Sequence, residues 1–141
     1  MTGNFTQTYR GVAYPWLCDI MGHLTTQHYV GMFDQACWHL FLALGFTPET
    51  VTRDRLGWAD VKNVIEYQRE VPMGGLVRID SGVTRLGTKS MEHLHVMKNA
   101  ATGEVHASFL ATTVYFDLNA RQALPLPNEL KSKAGQFMVT A

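Results

Sequence analysis

The sequence has no excess of charge of either sign: 12 Lys and Arg stand against 12 Asp and Glu in 141 residues. Nonspecific nucleic-acid binding needs a basic surface, so this balance argues against it, although a local basic cluster could still hold a small anion. Cysteine is scarce. Cys18 and Cys37 are the only two, and they fit neither a zinc spacing nor a disulfide framework. They read as reduced thiols of a cytoplasmic protein. No apolar run is long enough to span a bilayer, so no membrane partner is expected. The N-terminal "MTGNFTQTYRG" lacks the basic-then-apolar pattern of a secretion signal. Neither an internal repeat nor a linker is visible, so residues 1–141 read as a single domain large enough for a core. The charged fraction is only 17%, which hints at surface covered in an oligomer.

The apolar content, 46%, is that of an ordinary globular chain, and its pattern changes along the sequence. Phe5 to Tyr14 alternates and is rich in Thr, Tyr and Val, which predicts a strand. A loop follows Pro15. Tyr29, Phe33, Ala36, Cys37, Leu40, Phe41 and Leu44 then recur at three- and four-residue steps, one face of a helix. Thr25 or Thr26 can cap its start, and Gly45 is placed to end it. The other face carries Gly31, Trp38 and Leu42, so protein is expected on several sides of the helix.

"TPETVTRDRLGW" reads as a loop. Four strand-like runs come next: Val61–Val71, Leu76–Thr84, Ser90–Lys98 and Val105–Phe116, separated by "PMGG", "RLGT" and "NAATG". In the first run Val61, Ile65, Tyr67 and Val71 are expected on one face. The tail from Arg121, with Pro125 and Pro127, is expected to wrap the surface and fray. The order is β-α-β-β-β-β, an α+β architecture. It predicts a curved, antiparallel, five-stranded sheet around one long helix, with an open edge that a second subunit would cover.

The chemistry concentrates in "WLCDIMGHLTTQHYVGMF", Trp16 to Phe33. Asp19 is either a loop residue capping backbone or a reacting carboxylate beside a helix N-terminus, whose free N–H groups can polarise a carbonyl. Gly22 serves a turn or lets a substrate carbonyl approach closely. His23 alone fits a structural hydrogen bond as well as catalysis. Cys18 lacks a base and sits beside an Asp, which disfavours a thiolate. Asp34 reads as a structural ion-pairing or hydrogen-bonding residue rather than a second catalytic acid. His93 and His95 share a strand face, but a metal would need a third ligand that is not apparent, so no metal is assigned. "RLGTKS" is a solvated hairpin or a phosphate contact. Trp16, Trp38 and Trp58 read as core or interface, or alternatively as an aromatic box for a quaternary ammonium group.

The run Tyr14 to Ala36, "Y-x-x-x-x-D-x-x-G-H-L-x-x-x-x-Y-x-x-x-F-D-x-A", resembles the signature of hotdog-fold acyl-CoA thioesterases of the 4-hydroxybenzoyl-CoA thioesterase-like family. "EYQREVPMGG", "TRLGTKSM" and "GEVHASFLATTVYFD" extend the resemblance over nearly the whole chain. It implies hydrolysis of an acyl-CoA to free acid and CoA, with no cofactor beyond the coenzyme A of the substrate. It implies catalytic roles for Asp19 as nucleophile or general base, for the Gly22-His23 turn, and for the Thr26 N–H that polarises the carbonyl. Thr25, Tyr29, Gly87, Thr88, Lys89 and Ser90 would contact substrate, the last four along the pantetheine and nucleotide path. It also implies a homodimer, or a dimer of dimers, with sites at the subunit interface. Thr25 departs from the family's common Asn. Two rival functions are a hydroxyacyl-thioester dehydratase using His23 with Asp34, and an acyl-CoA-binding module without turnover.

Overall fold

A computed structural model describes residues 1–141. Its centre is α1 (Thr26–Ala43), whose buried face carries Tyr29, Met32, Phe33, Ala36, Leu40 and Phe41 at the expected helical spacing. Phe33 meets Phe109 edge-on with ring centroids 5.1 Å apart. Truncating such a buried ring typically costs about 3–5 kcal/mol, so this stripe anchors the helix to the sheet. At the C-terminal end the N–H of Phe46 donates to Phe41 O (2.9 Å) and that of Gly45 to Leu42 O (3.0 Å). These two bonds close the helix at Gly45, as its position predicts. Val30, Trp38 and Leu42 are exposed, so within one chain protein does not surround α1.

The main sheet has the spatial order β2-β4-β5-β6-β3 and is antiparallel throughout. The strands are β2 (Thr6–Val12), β3 (Leu56–Tyr67), β4 (Leu76–Leu86), β5 (Ser90–Asn99) and β6 (Val105–Asp117). A two-residue strand, β7 (Gln122–Ala123), adds to β6. All five expected strands are present, and the boundaries of one need correction. β3 starts at Leu56 rather than Val61 and stops at Tyr67 rather than Val71. The segment read as a loop contains α2 (Pro48–Thr52), with a reciprocal Thr47–Thr50 capping box. A bulge between Asp60 and Lys62 interrupts the β3 register, so the expected common face fails. Val61 is 63% exposed and Tyr67 half exposed, while Val71 is fully buried outside the strand.

The C-terminal segment is docked, contrary to the expected fraying. α3 (Asn128–Ala134) buries Leu130 and Ala134, one turn apart. Beyond it β8 (Val139–Thr140) pairs with β1 (Thr2–Gly3), tying the two chain ends together. Val139 packs with Leu94 and Val96 on the sheet face away from α1. Gly82 makes this contact possible, because a Cβ there would lie 2.3 Å from Val139 Cγ1 and 2.8 Å from Phe137 O. Chain and tail touch backbone to side chain at this point, and any side chain on residue 82 would push the tail away.

Candidate active site

Asp19 belongs to a tightly closed turn. Its N–H donates to His23 O (3.0 Å), and Gly22 N–H donates back to Asp19 O (3.0 Å). Asp19 Oδ1 accepts the N–H of Met21 at 2.9 Å, leaving Oδ2 without a hydrogen-bond partner. Gly22 has φ +82°, in the left-handed region that a side chain disfavours. No atom lies within 4 Å of where its Cβ would be, so the backbone conformation alone requires glycine here. The turn is held from outside as well. Thr25 N–H donates to Leu17 O, Leu24 N–H to Val71 O and Met73 N–H to Gly22 O. Ile20 and Met21 project into solvent at its tip.

The start of α1 faces the same space. Thr25 occupies the cap position in extended conformation, yet its hydroxyl makes no capping bond. The first helical bonds run from His28 and Tyr29 N–H to Thr25 O. The N–H groups of Thr26 and Gln27 therefore precede the helical ladder, at the positive end of the helix dipole. Asp19, His23, Thr26 and Tyr29 line one open cleft of about 360 Å³, walled on its far side by Tyr67 to Glu70. Tyr29 meets Tyr67 edge-on at 5.1 Å. His23 Nε2 lies 3.0 Å from Glu70 Oε2. His23 is thus paired with Glu70 and not with Asp34. Asp34 itself forms no ion pair, against the expectation of a structural one.

Residues 13–134 match the model of the thioesterase-like superfamily. The chain belongs to that superfamily. The long-chain acyl-CoA thioesterase FadM of Escherichia coli is 28% identical over 120 residues, covering 85% of this chain and 90% of FadM. Among solved structures, the probable thioesterase YbaW of Escherichia coli superposes with a TM-score of 0.79 at 24% identity, over 95% of this chain and 100% of that one. The protein SAV2348 of Staphylococcus aureus, solved in complex with CoA, superposes with a TM-score of 0.87 at 9% identity, over 100% and 91% of the two chains. These likenesses establish the hotdog fold, a curled antiparallel sheet around a central helix, as expected.

In this thioesterase-like chain not every anticipated residue reaches the cleft. Gly87, Thr88, Lys89 and Ser90 form the β4–β5 turn, closed by Gly87 N–H to Ser90 O (2.8 Å). They sit at the opposite end of β4 from the segment around Gly75 that pairs with Ala13, beside the Asp19 turn. Within one chain they line neither this cleft nor the next one along α1. Gln68, Arg69 and Glu70, which the sequence does not mark as site residues, do line it. Their sequence signals are the polar run "QRE" just after β3 and their place in the "EYQREVPMGG" segment. No helix is long and apolar enough to cross a membrane.

His93 and His95 lie on one face of β5, beneath α1, where the third polar neighbour is Cys37. They form a buried relay whose proton order is fixed at one end by a carbonyl. Thr8 Oγ1 donates to Ile79 O. Ser81 Oγ therefore donates to Thr8 Oγ1 (2.7 Å) and accepts His95 Nδ1–H (2.5 Å). His95 Nε2 then accepts His93 Nδ1–H (2.7 Å), and His93 Nε2 accepts the Thr113 hydroxyl (3.2 Å). Cys37 Sγ lies 3.4 Å from His95 Nε2. The trio lies within 4.8 Å, close enough to suggest a metal. However, nitrogens 2.7 Å apart are at hydrogen-bond spacing, whereas tetrahedral zinc ligands with bonds of 2.0–2.1 Å stand roughly 3.3 Å apart. The relay satisfies both imidazoles and the Thr8, Ser81 and Thr113 hydroxyls without a metal. Burial pushes the Cys37 thiol up to about 12, with Asp34 and then Asp60 adding, so it is a protonated thiol and not a nucleophile.

Proposed function

We propose that this chain hydrolyses an acyl-CoA thioester to a free acid and CoA. The observation that carries the reading is one cleft shared by the Asp19 carboxylate and the uncapped N–H groups at the start of α1. The thioester carbonyl oxygen takes a hydrogen bond from Thr26 N–H. Asp19 Oδ2 then either removes a proton from a water that attacks the carbonyl carbon, or attacks that carbon itself to give a mixed anhydride that water opens. Negative charge grows on the carbonyl oxygen in both routes, and the helix terminus opposes it. Collapse breaks the C–S bond: in the first route the CoA sulfur leaves with the proton that Asp19 took from water, and in the second it leaves as thiolate and gains its proton from the water that opens the anhydride. Glu70 orients His23, which fixes the end of the Asp19 turn.

The name of FadM supports an acyl-CoA substrate, as does the CoA held by SAV2348. Release of free thiol from a panel of short, long and aromatic acyl-CoAs tests the proposal directly. Turnover of at least one member is expected, and a panel untouched throughout would sink it. A dehydratase would also employ a His–acid pair, and His23–Glu70 is one. Hydration of an enoyl-CoA without thiol release would favour that reading instead.

The protein is further proposed to act as a homodimer joined along β3, in cytoplasm and without a nucleic-acid or membrane partner. β3 is a 12-residue edge strand with Val61, Val64 and Tyr67 exposed, a length of open edge that folded proteins ordinarily cover. Antiparallel pairing of two β3 edges would continue one sheet through both copies and place each cleft at the interface. It would also give the β4–β5 turn of one copy a route to the cleft of the other. Sedimentation velocity is expected to show a dimer or tetramer, and a monomer at micromolar concentration would refute it.

A further inference from the structure

A second cleft of about 380 Å³ lies along the same seam between α1 and β3, with Phe109 and Ala111 of β6 as its floor. Its α1 wall presents Asp34, Trp38 and Phe41, and its β3 wall Trp58, Asp60 and Asn63. The aromatic rings form a contiguous surface. Phe41 stacks on Trp58 with centroids 5.0 Å apart, and Trp38 meets Phe41 edge-on at 5.7 Å. No Lys, Arg or His lines the cleft. Neither Asp34 nor Asp60 has an ion-pair partner in the chain. Asp34 and Asp60, both solvent-exposed, thus stand on opposite walls of an aromatic cleft with no cation among its lining residues. Of the three tryptophans, Trp16 takes no part. It stacks on Tyr14 at 4.6 Å and stands exposed near the Asp19 turn.

We propose that this cleft receives the head of the acyl group and selects acyl-CoAs whose acyl chain ends in a quaternary ammonium cation. The proposal rests on the thioesterase reading above and names the substrate class of that site. A trimethylammonium head has no N–H to satisfy and presents a methyl surface with diffuse positive charge. Aromatic faces attract such a head, and the two carboxylates add longer-range attraction that salt screens. A neutral head of the same size would gain the apolar contact alone and leave both carboxylates without a counter-charge. Position agrees with this role. Thr26 lines the first cleft and its neighbour Gln27 the second. From Thr26 to Asp34 is about 12 Å of helix axis at 1.5 Å per residue, so a longer acyl chain carries its head further into the second cleft. The Cys37 thiol at the base of the cleft is neutral, so it adds no charge that would offset the carboxylates.

Matched pairs test this directly. 4-(Trimethylammonio)butanoyl-CoA is compared with 5,5-dimethylhexanoyl-CoA, and trimethylammonioacetyl-CoA with 3,3-dimethylbutanoyl-CoA. Within each pair a nitrogen cation replaces a quaternary carbon and nothing else changes. The expected result is a kcat/KM ratio of at least tenfold in favour of the cation for the longer pair. That ratio should shrink as salt is raised and fall towards one in Asp34→Asn and Asp60→Asn. Salt dependence in the unaltered protein keeps the test decisive should either variant misfold. Ratios of one or below in both pairs overturn the proposal, as does a ratio that neither salt nor the substitutions change. Rejection of all four compounds while other acyl-CoAs are cleaved also overturns it and leaves the thioesterase reading intact. A panel without any turnover removes both.

Discussion

Replacing Asp19 with Asn is expected to lower kcat for acyl-CoA hydrolysis by about a thousand-fold, within the range that general-base catalysis contributes. Thermal stability should change little. Oδ1 already serves the turn by accepting Met21 N–H at 2.9 Å, and the Asn carbonyl can keep that bond. Only Oδ2 changes, from a basic carboxylate oxygen to an NH₂ that can neither take a proton from water nor attack a carbonyl. Asp19→Ala is the useful contrast, because it removes the turn bond as well and should cost stability in addition to rate. Steady-state thiol release, together with a melting curve for each variant, separates the two effects. An Asn variant with near-normal kcat would transfer the chemistry to another group in the cleft.

The second large effect is on stability in acid. Burial holds His93 down to about 4, and burial together with the neighbouring His93 holds His95 well below its usual value. Both rings are neutral in the folded protein, while in the unfolded chain they titrate near 6.5. Between those values the unfolded state binds more protons. Stability is therefore complete above about pH 6.5 and is lost as pH falls towards 4. Linkage over that window predicts that His93 alone costs about 2 kcal/mol between pH 7.5 and pH 5, and His95 adds to it. Urea denaturation at the two pH values should show the decrease, and a flat profile would count against neutral buried imidazoles. Nitrogen chemical shifts give an independent reading, with both rings remaining neutral at pH 5 in the native state.

These two sites differ in how far the sequence revealed them. Asp19, Gly22, His23 and Thr26 fall within one short run, so spacing and the onset of helical periodicity were enough to draw them together. The histidine relay joins Thr8, Ser81, His93, His95 and Thr113, and no local pattern links residues so far apart in the chain. Cys37 appeared as one position in the apolar stripe of α1, and only the packing of α1 over β5 shows it facing His95. The Glu70 partner of His23 was hidden for the same reason. The sequence groups Trp16, Trp38 and Trp58 without distinguishing them, and only the packing of α1 against β3 brings Trp38 and Trp58 to one cleft and leaves Trp16 out.

The fold shows the same division. Strong periodicity located α1 and the hairpins. The start of β3 was missed because Leu56 and Gly57 follow the polar run "TRDR" and because Arg55 has positive φ, which gives no local sign of a strand beginning. α3 was missed because seven residues offer a single apolar i,i+4 pair, Leu130 and Ala134, and its stability comes from docking on the rest of the core.

The buried relay also bears on how the strands find one another. Side chains alternate between the two faces of a strand, so a slip of β4 against β5 by one residue would put Ser81 and His95 on opposite faces of the sheet. The purely apolar positions around them tolerate such a slip better, because β5 is buried on both faces and carries Leu94 and Val96 on the other side. An ordered chain of hydrogen bonds closed by the Ile79 carbonyl admits one alignment only. Misaligned pairings would strand imidazole and hydroxyl groups away from water, at about 1–3 kcal/mol for each unsatisfied group. The polar core of this sheet thus favours one strand register over its neighbours.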